Sequence, residues 1–141
     1  MSENLGIYIH IPFCRSKCAY CDFNSAPPES DEIMTRYVDA LIAHMESYKG
    51  VADSYEPDTI FIGGGTPPAL PPEELFRLIK AVRKTFRIVK NAEFTIECNP
   101  ATASYSTLSR LHRMGVNRIS FGLQSADNSE LSKLSRIHTF E

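Results

Sequence analysis

Thr59-Ile60-Phe61-Ile62-Gly63-Gly64-Gly65-Thr66 is a short run of β-branched and aromatic residues cut off by three glycines. Such a run reads as a strand ending in a turn. Pro72 follows at a position suited to the first turn of a helix. Behind it Leu75, Leu78, Ile79, Val82 and Phe86 recur at three- and four-residue steps, which is one helical face. Arg83, Lys84 and Arg87 make the last turn basic, as the helix dipole favours. Glu93 to Glu97 then reads as another strand. Strand, helix and strand in succession form a βαβ unit, which implies parallel pairing.

The same alternation continues on both sides. Upstream, Gly6 to Ile11 reads as a strand stopped by Pro12. Ser30 is a suitable N-cap, with Asp31 and Glu32 in the first turn. Ile33, Tyr37, Val38, Leu41, Ile42, Met45 and Tyr48 then mark a helical face, expected to end at Gly50. Downstream, Tyr105 to Met114 reads as a helix with Gly115 as its left-handed C-cap. Val116 to Phe121 reads as a strand, and Asp127 to Leu134 as a short helix opened by a capping-box pattern, Asp127-x-x-Glu130. The fold class expected is α/β: parallel (βα) units amounting to about half of an eight-stranded barrel. The chain stops at Ile137-His138-Thr139-Phe140-Glu141 without a capped end, so residues 1–141 are expected to be the N-terminal part of a longer protein.

Composition narrows the function classes. The chain has 141 residues, 43% apolar and 23% charged, which suits one globular domain. Fifteen Lys and Arg against seventeen Asp and Glu leave a formal charge of −2, which disfavours a nucleic-acid module built on phosphate contacts. No apolar run approaches the roughly 18 residues of a membrane span. Met1-Ser2-Glu3-Asn4 is polar and acidic, unlike a secretory signal or transit peptide, so a cytoplasmic location is expected. A chain of this length can bury a core, so its four cysteines are not needed as staples. Metal or redox chemistry is the better expectation for those that cluster.

Every unusual residue follows a strand. The first strand runs into Cys14, Cys18 and Cys21, inside a long loop from Pro12 to Pro28. The second runs into Gly63-Gly64-Gly65-Thr66, the third into Glu97-Cys98-Asn99-Pro100 and the fourth into Gly122-Leu123-Gln124-Ser125. Ligands of parallel α/β folds bind at the carboxyl ends of the strands, so these segments are expected to share one rim. Cys14-x3-Cys18-x2-Cys21 offers three soft ligands, suited to zinc or to an iron–sulfur cluster. Structural zinc needs a fourth ligand, for which His10 is the nearby candidate. Three ligands on a four-iron cluster leave one iron open for a small molecule. Arg15 and Lys17 are cations that could offset thiolate charge. The glycine turn is not a phosphate loop, because no Lys follows it and Pro67-Pro68 offer no N–H. Glu97 needs a partner, and an ion pair is the plain alternative to a ligand role. Cys98 stands outside the triplet and reads as a small buried side chain.

Tyr8-Ile9-His10-Ile11-Pro12-Phe13-Cys14 followed by Cys18-Ala19-Tyr20-Cys21 resembles the opening of radical S-adenosylmethionine (SAM) proteins. More narrowly, it resembles the oxygen-independent coproporphyrinogen III oxidase-like family. Phe61-Ile62-Gly63-Gly64-Gly65-Thr66-Pro67, Glu97-x-Asn99-Pro100 and Ser120-Phe121-Gly122-Leu123-Gln124-Ser125 match that family in order and spacing, so the resemblance covers essentially the whole chain. It implies a radical SAM partial TIM barrel in which Cys14, Cys18 and Cys21 hold a [4Fe–4S] cluster. Gly64, Gly65 and Thr66 would meet the methionine end of SAM. Glu97, Gln124 and Arg136 would complete the SAM pocket, with Tyr8 and Tyr20 near the cluster. The chemistry implied is electron transfer from the reduced cluster into SAM, with an electron donor such as a flavodoxin or ferredoxin.

The family has two branches. The oxidase decarboxylates coproporphyrinogen III to protoporphyrinogen IX; it carries a further Cys shortly after the triplet and a longer N-terminal arm. Here Cys21 is followed by Asp22-Phe23-Asn24, and the triplet begins at Cys14. Both departures resemble the haem chaperone branch, which binds haem and passes it to an acceptor protein. The oxidase is the alternative, and a small zinc-binding module the second alternative.

Overall fold

The computed structural model describes residues 3–141. Met1 and Ser2, which open the polar N-terminus, lie outside the described residues. Four strands, β1 (Glu3–Ile11), β2 (Tyr55–Gly64), β3 (Glu93–Cys98) and β4 (Arg118–Phe121), form one sheet in the order 1-2-3-4, every pair parallel. The helices are α1 (Asp31–Ser47), α2 (Lys49–Ala52), α3 (Pro72–Thr85), α4 (Tyr105–Arg113) and α5 (Asn128–Lys133). The alternation expected from the sequence is therefore the architecture: half of a parallel barrel. No helix among the described residues is long and apolar enough to cross a membrane.

Register makes each face of the sheet a set of rows. Ile9, Ile62, Ile96 and Ile119 sit side by side on the helix-covered face. The first three are fully or almost fully buried, while Ile119, on the edge strand, stays partly exposed. Tyr8, Phe61, Thr95 and Arg118 make a row on the opposite face, since alternate side chains of a strand point to opposite sides. The core lies between the isoleucine face and the helices, where Leu75, Leu78, Ile79 and Val82 of α3 are fully buried beside Val38 of α1.

Several boundaries differ from the sequence reading. β2 begins at Tyr55, not Thr59, because Leu5 pairs with Pro57 and Gly6 with Thr59; the register slips there and Asp58 is the extra residue. The α1 stripe is rotated: Met34 is buried with Val38 and Met45, while Ile33 and Tyr48 are exposed. Gly50 does not end α1; Tyr48 is the C-cap, and Gly50 lies inside the one-turn α2. Phe86 is the extended C-cap just past α3, and its side chain still packs partly buried against the core. β4 begins at Arg118, because Val116 closes the preceding helix.

That closure is a Schellman motif. Gly115 takes φ +97° and its N–H bonds to His112, while Val116 N–H reaches back to Leu111, satisfying carbonyls that the helix leaves open. The caps at Ser30 and Asp127 form as read: Ser30 accepts from Ile33 N–H, and Asp127 from Ser129 and Glu130 N–H. The return arm of the Asp127 box is relayed. Asp127 N–H donates to Ser125 Oγ, and that hydroxyl donates to Glu130 Oε2.

Candidate functional site

The site sits where the strands stop. A cleft of about 280 Å³ is lined by Cys14, Cys18 and Cys21 from the β1 loop and by Gly64, Gly65 and Thr66 after β2. Glu97, Cys98 and Asn99 close it from β3, and Gly122, Gln124 and Arg136 from the segment after β4. The four strand ends therefore share one rim, as the parallel topology requires. Tyr20 also lines this cleft; Tyr8 does not. Tyr8 lies further back on β1, with its hydroxyl donating to His10 Nδ1 at 2.9 Å and its ring 6.1 Å from that of Phe61.

The cysteine loop is closed at its base. Phe13 bridges Ala26, Cys14 N–H donates to Ala26 and Ala26 N–H to Pro12. His10 Nε2 donates to the Asn24 carbonyl at 3.0 Å, which leaves Nδ1 as the acceptor for Tyr8. Both ring nitrogens are engaged, so His10 is not free as a fourth metal ligand. Lys17 departs from the sequence reading too. Its ammonium donates to the Phe23 and Ser25 carbonyls at 2.7 and 3.3 Å, holding the loop's shape rather than facing a thiol.

The glycines are required by sterics as well as by any ligand. Gly64 has φ +107°, and a Cβ there would lie 2.5 Å from the His10 ring. A Cβ on Gly65 would lie 2.6 Å from the Phe13 carbonyl oxygen. Glu97 has a backbone partner rather than the ion pair weighed above: Oε2 accepts from Gly64 N–H at 2.9 Å. One carboxylate thus ties the end of β3 to the glycine turn.

The sulfurs are approached by donors from distant elements. Thr66 Oγ1 donates to Cys14 Sγ at 3.6 Å. Arg136 Nη1 donates to Cys18 Sγ at 3.2 Å and reaches the Tyr20 hydroxyl at 3.5 Å, while Nη2 donates to the Gly122 carbonyl. Burial pushes the Tyr20 phenol up; the Arg136 charge opposes that rise and Cys18 adds to it. Cys98 borders the same cleft from β3 but differs from the triplet in chemistry. Burial, helped by Glu97, pushes its thiol up to about 12, so it stays protonated at neutral pH.

The residues present fit an iron–sulfur cluster and its ligand. All four cysteines are free. The three loop thiols are part-exposed in one cleft, with hydroxyl and guanidinium donors on two of the sulfurs. Among the described residues, no three His, Cys, Asp or Glu side chains converge on a single ion. A cluster asks each thiolate to bind a different iron, not one shared centre. The cleft also keeps donors in reserve: Arg136 Nε and Ser25 Oγ are buried without a partner.

Sequence reasoning missed some of the lining. Ile137, half exposed, borders the cleft together with Phe121, beside Phe23, which the sequence reading singles out. The signal for Phe23 was its place beside the triplet; Ile137 carried none, because only tertiary structure brings residues after α5 to the loop.

Comparison with known proteins agrees with this geometry. The profile of the Radical SAM superfamily matches residues 8–141. The heme chaperone HemW of Escherichia coli is 41% identical over 134 residues, covering 95% of this chain and 35% of that protein. The heme chaperone HemW of Bacillus subtilis is 40% identical over 134 residues, covering 93% and 35%. Among solved structures, the coproporphyrinogen III oxidase HemN of Escherichia coli superposes with a TM-score of 0.90 at 28% identity, over 97% of this chain and 32% of that one. The chain spans about a third of the length of the relatives it matches. With its cysteine loop over the carboxyl ends of a parallel sheet, and with that profile matched from Tyr8 to Glu141, the chain belongs to the radical SAM superfamily.

Proposed function

We propose that this chain is the N-terminal part of the radical SAM core of a haem chaperone, which binds haem and delivers it to an acceptor protein. Radical SAM proteins in general carry a [4Fe–4S] cluster and SAM. In this reading Cys14, Cys18 and Cys21 ligate three irons and leave the fourth open. Gly64, Gly65 and Thr66 border the methionine end of SAM, and Glu97, Gln124 and Arg136 supply its polar contacts. Tyr20 flanks the cluster, and Tyr8 stands behind it through His10. The bound cofactors supply one-electron cleavage of the SAM sulfonium, with the electron drawn from a donor such as a flavodoxin or ferredoxin. The protein orients them and limits water.

One observation carries the cofactor reading: three loop thiols and four strand ends meet in one cleft. The chaperone branch is supported by Phe23. It lies on the cleft with 60% of its surface exposed, where the oxidase branch has its extra Cys. An apolar ring can pack on a flat macrocycle, but it can neither ligate iron nor transfer hydrogen. The relatives at 41% and 40% identity, both heme chaperones, support the same branch.

The test is anaerobic incubation of the full-length reconstituted protein with SAM, a reductant and coproporphyrinogen III, beside a titration with haem. The chaperone reading expects stable haem binding and no protoporphyrinogen IX. Steady formation of that product with release of carbon dioxide would favour the oxidase.

A further inference from the structure

Arg136 lies just after α5 and reaches the cleft through a specific turn. α5 ends in a second Schellman motif, with Ser135 in the left-handed region at φ +58°. Ser135 N–H bonds to the Ser132 carbonyl and Arg136 N–H to that of Leu131. A serine in that conformation is less favourable than glycine, yet the turn forms and aims Arg136 back over the cysteine loop. The loop is held to the same turn, because Ala19 N–H donates to the Leu134 carbonyl at 3.3 Å. The guanidinium then forks, with one nitrogen on the Gly122 carbonyl and the other on Cys18 Sγ and the Tyr20 hydroxyl. Among the described residues, it is the cation whose nitrogen reaches a cysteine sulfur.

We propose that Arg136 is a positioning residue that tunes the iron–sulfur cluster through the Cys18 sulfur, apart from any contact it makes with SAM. The inference rests on the cluster reading above. Reduction adds one electron, and so one negative charge, to the cluster without making or breaking a bond. A guanidinium hydrogen-bonded to a ligating sulfur stabilises the more negative state. It therefore makes the cluster easier to reduce. The Gly122 anchor fixes the fork, so the donor meets the sulfur without ordering a free side chain first.

The test is a redox titration of the reconstituted chain with dithionite, without SAM, followed by electron paramagnetic resonance. Arg136→Met should bind the same iron and sulfide per chain, with a midpoint potential more negative than that of the wild type. Arg136→Lys keeps the charge but not the fork, and should shift in the same direction by less. Coincident potentials for wild type and Arg136→Met would overturn the proposal. If Arg136→Met assembles no cluster, Arg136→Lys decides: a wild-type potential overturns the proposal, a more negative one supports it. Failure of the wild-type chain to assemble a cluster would instead overturn the cofactor reading beneath it.

Discussion

Gln124 is a non-glycine residue on the cleft rim held at φ +69°. That conformation costs an L residue about 1–2 kcal/mol, and nothing about an exposed glutamine requires it. In the proposed pocket the cost is offset by function, because the turn presents the amide to SAM. Gln124→Gly should therefore raise stability by up to about 1 kcal/mol in urea unfolding while weakening SAM binding by the full-length reconstituted protein. A gain in stability with unchanged SAM affinity would remove Gln124 from the site. Cys98 gives a second residue-scale prediction. A thiol raised to about 12 should resist alkylation by iodoacetamide at pH 8, while the part-exposed Cys14, Cys18 and Cys21 of the apo chain react, as peptide mass spectrometry can read. The sign for stability follows: Cys98 contributes fully below the ordinary thiol range near 9 and loses that contribution as pH rises toward 12.

At the scale of elements, the caps are the testable parts. Ser30 holds the first turn of α1 through Ile33 N–H, and Ser30→Ala should cost about 1 kcal/mol. Ser135→Gly should do the opposite, relieving the left-handed serine by several tenths of a kcal/mol, with no change in the residues that reach the cleft. Both are read as shifts in the thermal or urea midpoint. Helix caps, Pro at a helix start and glycine at a helix end are local rules, so Ser30, Pro72, Gly115 and Asp127 were legible in the sequence. Ser135 was not, because serine carries no signal for φ above zero. The early start of β2 was hidden for a different reason. Pro57 argues against a strand in isolation, yet next to an edge partner and a register slip it is accommodated. The α1 stripe shows the limit of periodicity. Both Ile33 and Met34 fit a helical spacing, and only the packing of α1 on α3 decides which is buried.

The rim of strand ends was also legible, since it follows from parallel topology and the order of the motifs. What the sequence hid were contacts between residues far apart in the chain. Arg136 on Cys18, Gly64 on Glu97 and Asn24 on His10 each join elements far apart in the chain, and no local pattern encodes them. The whole sheet carries a further consequence. Its order ends at β4, whose Ile119 and Phe121 are exposed, and its inner face leaves Tyr8 largely in solvent. A site that must limit water is open on that side. The 141-residue chain should therefore bind SAM weakly and form little 5′-deoxyadenosine under dithionite; turnover matching a full-length relative would show that the open side is immaterial.

The central claim is that three loop cysteines, and not Cys98, hold a four-iron cluster. The direct measurement is iron and sulfide content, with the visible spectrum, after anaerobic reconstitution of the wild-type chain and of Cys14→Ala, Cys18→Ala, Cys21→Ala and Cys98→Ala. The account predicts a brown wild type with about four irons per chain, the same in Cys98→Ala, and loss of the cluster in each of the other three. A full cluster in Cys18→Ala, or a colourless wild type holding one tight zinc, would contradict it.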